Sequence, residues 1–140
     1  MTQIVIATHG LLANGLKQST EFILGKQKNL HTVCGYTKAC PEPTVEINAI
    51  IAKYETEPII FLTDIFGGSV NNYLEQVVVK NEKFFLICGV NLPLVIQLFN
   101  SLMNENIESA INESIEVSRK GVINCSEINL NSKKAEFDSF

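Results

Sequence analysis

Short apolar runs and longer amphipathic stripes alternate along this 140-residue chain. Residues 3–8 (QIVIAT), 30–36 (LHTVCGY), 58–63 (PIIFLT) and 84–90 (FFLICGV) are β-branched or aromatic runs, the pattern of strands covered on both faces. Between them the period lengthens to that of a helix. Leu12, Leu16 and Ile23 share a stripe that ends at Gly25; Ile47, Ile50, Ile51 and Tyr54 follow i, i+3, i+4, i+7; Val70, Leu74, Val77 and Val78 follow i, i+4, i+7, i+8. Two more stripes come after the fourth strand, one at Val95, Phe99 and Leu102, the next at Ile107, Ile111 and Ile115. Arg119, Lys120 and Gly121 close the last one, as suits a helix C-terminus. Ile123, Cys125, Ile128 and Leu130 predict a fifth strand over residues 122–130, and from Asn131 the chain turns polar.

The order β-α-β-α-β-α-β-α-α-β predicts an α/β fold: a small doubly wound, mainly parallel sheet in the flavodoxin-like order 2-1-3-4. Right-handed crossovers then put helices on both faces, and the fifth strand lies at an edge. Residues 1–130 are expected to form a single domain and residues 131–140 a polar tail. Hydrophobic residues make up 46% of the chain and charged residues 19%, enough apolar material to close one core. Eleven Lys+Arg against 15 Asp+Glu give a net charge of −4, with no basic stripe to neutralise a nucleic-acid backbone, so no nucleic-acid partner is expected. No apolar run approaches the ~20 residues needed to span a bilayer. The first positive side chain, Lys17, lies inside the first apolar block, so a secretory signal is not expected and the cytoplasm is. Cys34, Cys40, Cys88 and Cys125 form no C-x-x-C pair and read as reduced thiols in mostly apolar surroundings.

In this strand order β1 and β3 are neighbours at the topological switch point, where ligands bind beyond the carboxyl ends of the strands. Three turns meet that description: Thr8-His9-Gly10, Asp64-Ile65-Phe66-Gly67-Gly68-Ser69 and Gly89-Val90-Asn91-Leu92-Pro93. His9 is the side chain there whose ordinary pKa, ~6.5, suits a nucleophile or base near neutral pH. Asp64 is placed to accept a hydrogen bond from one ring nitrogen of His9 and leave the other facing outward. Taken alone, it reads equally well as a turn or capping residue. Gly67-Gly68-Ser69 opens the third helix, where free N–H groups and the positive end of the dipole favour an anion; Ser69 also reads as a plain N-cap. His31 lies inside the second strand, away from these turns. Residues 10–15 have the glycine spacing of a nucleotide P-loop, but Leu16-Lys17 stand where its Lys and Ser/Thr belong. With no G-x-G-x-x-G and no histidine pair at ligand spacing, neither metal nor cofactor is expected.

These motifs, I-V-I-A-T-H-G at residues 4–10, D-I-F-G-G-S at 64–69 and G-V-N-L-P at 89–93, resemble the enzyme IIA domains of mannose-type sugar phosphotransferase systems, over most of the chain to about Gly121. The resemblance implies a phosphohistidine relay: the carrier HPr gives its phosphoryl group to the domain's histidine, which passes it to an enzyme IIB partner and so, through the membrane subunits IIC and IID, to an incoming sugar. Carried over by position, His9 is the phosphorylated residue, Asp64 its orienting carboxylate and Ser69 the hydroxyl partner of the phosphoryl group. Gly67 and Gly68 join Ser69 in binding phosphate, and Thr8, Gly10, Phe66, Gly89, Val90, Asn91 and Pro93 wall the pocket. Val70 stands where the family often has Pro. The family also dimerises through a C-terminal strand, which makes residues 122–130 a candidate exchanged strand of a homodimer. Three rival readings are a Ser69–His9–Asp64 hydrolase, the phosphoryl-donor domain of a dihydroxyacetone kinase system, and a regulatory module whose phosphorylation state a partner reads.

Overall fold

The computed structural model describes residues 1–127. Contacts within the chain group into two units, Met1–Val90 and one that starts at Asn91. In the first, β1 (Gln3–His9), β2 (Leu30–Gly35), β3 (Ile59–Thr63) and β4 (Phe84–Cys88) form a parallel sheet in the order β2-β1-β3-β4. The fold is α/β, with five helices among the described residues: α1 (Leu12–Leu24), α2 (Pro43–Lys53), α3 (Ser69–Val78), α4 (Leu92–Leu102) and α5 (Ile107–Lys120). The predicted strand order and the number of helices are those observed. No helix among the described residues is long and apolar enough to cross a membrane.

β1 is paired on both sides, running from Ile4↔Leu30 to His9↔Gly35 against β2 and from Gln3↔Ile59 to Ala7↔Thr63 against β3. β1 and its neighbour β3 are shielded on both faces as well, and Ile4, Val5, Ile6 of β1 and Ile60, Phe61, Leu62 of β3 are all fully buried. Each contributes on the order of 1.5–3 kcal/mol of transfer free energy. Alternation sorts them by face. Val5, Ala7, Val33, Ile59 and Phe61 pack with Ile47 of α2 and with Val70 and Leu74 of α3, and the Phe61 ring meets Phe84 edge-on at 5.9 Å. On the other face α1 is tied down by polar contacts. Thr8 Oγ1 accepts from the Ala13 N–H at 2.9 Å, and Thr32 Oγ1 donates to Asn14 Oδ1 at 2.7 Å.

That tie turns α1 away from the expected orientation. Leu12 and Ile23, predicted to face inward, are 48% and 43% exposed, and the buried positions are Ala13 and Thr20. Two small side chains let the helix backbone lie close on a sheet whose own isoleucines already fill the layer. In the second unit, α4 starts at Asn91, whose Oδ1 accepts from the Leu94 N–H at 2.9 Å, and buries Leu94, Val95, Ile96 and Leu98. α5 packs on α4 and buries Ala110, Ser114 and Ser118, leaving the expected isoleucine stripe half-buried beside them. Ser101 Oγ of α4 donates to Glu113 Oε2 of α5 at 2.9 Å. All four cysteines are free: Cys40 is buried, Cys34 and Cys88 are half-buried, and Cys125 is exposed.

The predicted fifth strand is not formed over its described residues, 122–127. Residues 122–127 are turn and irregular structure, because the Asn124 side chain organises a local turn: its Oδ1 accepts from the N–H and hydroxyl of Ser126, at 3.1 and 2.7 Å. The rest of that expected strand, residues 128–130, lies outside the described residues.

Thr20 Oγ1 is buried with no hydrogen-bond partner among the described residues. An orphaned buried hydroxyl costs about 1–3 kcal/mol. Thr20→Val, which keeps the shape and removes the orphan, is expected to raise the unfolding free energy by about 1 kcal/mol in urea titrations. A loss of stability would mean that the hydroxyl has a partner.

Candidate functional site

The parallel register brings the carboxyl ends of β1, β2 and β3 together, so the residues that follow them become neighbours. His9 ends β1 opposite Gly35, and Asp64 follows Thr63, which pairs with Ala7. One carboxylate oxygen, Oδ2, accepts from both the main-chain N–H of His9 at 2.9 Å and its ring Nδ1 at 2.8 Å; Oδ1 accepts from the Ile65 N–H at 3.0 Å. Burial pushes the Asp64 carboxyl up, but the His9 N–H, the His9 ring and the Ile65 N–H together outweigh it and hold the group below its ordinary value. Asp64 is therefore ionised at neutral pH and can only accept. The proton shared at 2.8 Å belongs to Nδ1, so in a neutral imidazole the lone pair lies on Nε2.

The other side of the ring faces the start of α3. Gly67 turns the chain at φ +79°, a conformation open to glycine, and Gly68 is the N-cap. A Cβ added at Gly68 would stand 3.3 Å from His9 Cε1, so the missing side chain is what lets the imidazole lie against the helix terminus. No side chain caps α3, which leaves its first N–H groups without that partner. The start of the helix is held from below by buried polar contacts. Thr63 Oγ1 donates to Asn71 Oδ1 at 2.7 Å, and Asn71 Nδ2 donates to Glu75 Oε1 at 3.2 Å. Ser69 is the first helical residue and not the N-cap.

One neighbour of His9 was not legible in the sequence. Tyr36, one residue beyond β2, places its ring centroid 5.5 Å from that of His9, and its hydroxyl hydrogen-bonds Ser69 Oγ. Its φ of +61° is the one positive value at a non-glycine residue among those described. The left-handed region costs an L-residue roughly 1–2 kcal/mol, and residue type announces such a position only when it is Gly, Asn or Asp. Ser69 Oγ thus pairs with Tyr36 rather than with the imidazole, so the described hydrogen bonds contain no serine–histidine relay of the hydrolase kind.

The remaining candidates have local tasks. Thr8 is buried and caps α1, Gly10 follows His9 at φ +61°, and Phe66 is 78% exposed on its loop. Gly89 turns the chain after β4, and the Val90 N–H reaches Thr63 O at 2.9 Å. Asn91 and Pro93 belong to the second unit, where they open α4. His31 is far from these turns in β2. Its Nε2 lies 2.7 Å from Gln3 Oε1, and burial first, then Lys17 and Lys53, keep its pKa low.

Fold and site together define a small α/β domain that presents a carboxylate-oriented histidine at a helix N-terminus. Comparison with known proteins gives this class a family. The family model of mannose-type EIIA, described as PTS system fructose IIA component, matches residues 3–115. The mannose-specific EIIAB component of the phosphotransferase system of Escherichia coli K12 is 34% identical over 125 residues, 85% of this chain; the chain spans only 38% of that relative's length. The fructose-specific EIIA component of Bacillus subtilis is 25% identical over 91% of this chain and 88% of its own. A crystal structure from Klebsiella pneumoniae, described as a phosphoenolpyruvate-dependent sugar phosphotransferase system permease, superimposes with a TM-score of 0.83 at 36% identity, covering 90% of this chain and 92% of that one. The chain belongs to the phosphotransferase-system EIIA components of the mannose/fructose/sorbose family.

A carboxyl held below its ordinary pKa in the folded state lends stability above the unfolded value, near 3.9, and loses it as pH falls through the folded value. The stability gap between the wild type and Asp64→Asn is therefore expected to narrow as pH falls below about 4. Urea unfolding at a series of pH values measures it. A gap that persists undiminished in acid would show that the three N–H donors do not favour the ionised carboxylate.

Proposed function

We propose that His9 accepts a phosphoryl group from phospho-HPr on Nε2 and passes it to an enzyme IIB partner, which feeds the membrane subunits of a sugar transport system. The observation that carries this reading is the 2.8 Å bond between Asp64 and Nδ1. It commits Nδ1 and leaves Nε2 as the nitrogen that can act as nucleophile in the neutral ring, beside the uncapped start of α3. Family membership supports the phosphoryl-transfer role. The name of the E. coli relative, an EIIAB component, supports a IIB acceptor.

The step needs little covalent chemistry from the protein. The Nε2 lone pair attacks phosphorus in line, an N–P bond forms, and the bond from phosphorus to the donor breaks with its electron pair staying on the donor. As His9 gains a substituent its ring becomes cationic, and the Asp64 carboxylate stabilises that charge through Nδ1–H. The N–H groups at the start of α3 and the Ser69 hydroxyl hold the phosphoryl oxygens, with Gly67 and Gly68 allowing the close approach. Passing the group on is the same displacement with the acceptor as nucleophile. In this reading the exposed Phe66 and the nearby turns form the face that partners touch, and the carrier works in the cytoplasm as a homodimer.

Incubation with phosphoenolpyruvate, enzyme I and HPr is expected to put acid-labile phosphate on His9 alone. His9→Ala should abolish labelling and keep the fold, since a side chain 44% exposed contributes little to the core. Asp64→Asn should slow transfer by roughly 10²-fold or more, because an amide presents NH₂ and favours the wrong imidazole tautomer. Label on His31, or label that survives His9→Ala, would overturn the reading.

A further inference from the structure

The hydroxyl pair beside His9 has a property that neither member has alone. Ser69 is exposed as the first residue of α3, where no preceding helical turn restricts its χ1. The Tyr36 hydroxyl selects among its rotamers, because the two oxygens are within hydrogen-bond distance across 33 residues of chain. Two hydroxyls carry two protons, and a bond between them uses one. The second stays available to an anion on either oxygen, whichever of the two is the donor. The Tyr36 ring centroid meanwhile lies 5.5 Å from that of the imidazole at an interplanar angle of 30°, beside the ring whose Nδ1 edge is held by Asp64.

Backbone contacts make the arrangement specific to this position. Gly35 pairs with His9 in the β1–β2 ladder, and its carbonyl accepts from the Gly10 N–H at 2.9 Å, so Tyr36 starts from a point fixed relative to His9. From there a residue continuing as a strand would carry its side chain onward. The φ of +61° reverses the chain, and the turn is locked by Thr37 Oγ1 donating to Cys34 O at 2.7 Å and by the Cys40 N–H reaching Thr37 O at 3.1 Å. An unfavourable backbone conformation is thus held in place, and its outcome is a tyrosine against the imidazole and the serine.

We propose that Tyr36 is a positioning residue for phosphoryl transfer: through its hydroxyl it aims Ser69 at the phosphoryl oxygens of phosphohistidine 9, and with its ring it fixes the imidazole plane. This rests on the reading of His9 as the phosphoryl acceptor. Tyr36 itself exchanges no proton or bond in the step. Removing its hydroxyl takes away an ordering contact that matters most when charge builds on the transferring group, so the maximal rate falls and the donor concentration at half-saturation does not.

The test compares Tyr36→Phe, Ser69→Ala, the double variant and Tyr36→Gly, with two donors. Phospho-HPr reports the carrier reaction. Phosphoramidate, a small chemical donor, needs no docking surface. Tyr36→Phe is expected to lower the maximal rate about tenfold with both donors, the size of one ordering hydrogen bond, and to leave half-saturation by phospho-HPr unchanged. In the Ser69→Ala background it should cost nothing further, because the two hydroxyls act as a unit. Tyr36→Gly relieves the backbone and should keep or raise the melting temperature while losing at least as much rate as Tyr36→Phe. A purely structural tyrosine would show the opposite pairing. Wild-type rates in Tyr36→Phe with both donors, or losses that add to those of Ser69→Ala, overturn the role of Tyr36 and leave the carrier reading standing. Labelling of His9 by phosphoramidate without any by phospho-HPr overturns the carrier reading, and the rate comparison still decides the role of Tyr36. No labelling from either donor overturns both.

Discussion

The two-sided pairing of β1 is the constraint on which the rest of the first unit depends. A parallel strand between two others has its N–H and C=O groups taken up by neighbours and both faces covered, so its position along the ladder is set by burial as well as by hydrogen bonds. A slip by one residue would move Ile4 and Ile6 to the face of Val5 and Ala7 and would separate Thr8 from the Ala13 N–H. The register that avoids this places His9 beside Gly35 and just past the Ala7–Thr63 pair, which delivers Asp64 to the imidazole. The proximity of two residues 55 apart in sequence is a by-product of core packing.

At the ends of the strands, hydrogen bonds take over from burial. Asp64 receives three N–H groups, two of them from His9, so backbone and ring are oriented by the same carboxylate. α3 is oriented by the chain Thr63–Asn71–Glu75, which ties its first turn to the strand it follows. Asn71 is 2% exposed, and a buried amide with both ends satisfied resists rearrangement more strongly than an apolar contact does. The site is therefore built on strand ends and a helix start that are themselves fixed, the arrangement that holds reacting groups to within tenths of an ångström. Strain enters at Tyr36, and the surrounding turn bears it.

The second unit shows how small residues reshape an amphipathic pattern. α5 buries Ala110, Ser114 and Ser118, and both serines satisfy their own hydroxyls on the helix backbone, Ser114 to Ala110 O at 2.6 Å and Ser118 to Ile115 O at 3.0 Å. A serine that bonds its own helix behaves as a small, nearly apolar side chain, and the flanking isoleucines then lie at the margin of the contact. The same principle governs α1, where Ala13 and Thr20 take the inward positions that Leu12 and Ile23 were expected to fill. Hydropathy alone ranks leucine above alanine, but close approach of a helix to a filled layer reverses the order.

By itself the sequence determined the element types from β1 to α5, the strand order, the helix breaks at Gly25 and Gly121, and the two turns that carry His9, Asp64 and Ser69. Each of these rests on local periodicity or on the handedness of crossover connections, and both are written in consecutive residues. The turn over residues 122–127 is local, an Asn124–Ser126 contact two residues long that the alternating apolar pattern masked. Tertiary structure decided the rest. It selected which face of α1 and α5 is buried, because that depends on the volume of the opposing layer. It also brought Tyr36 to the histidine, since a tyrosine in the left-handed region is stabilised only by contacts made after the sheet has formed, and no pattern of neighbouring residues encodes it.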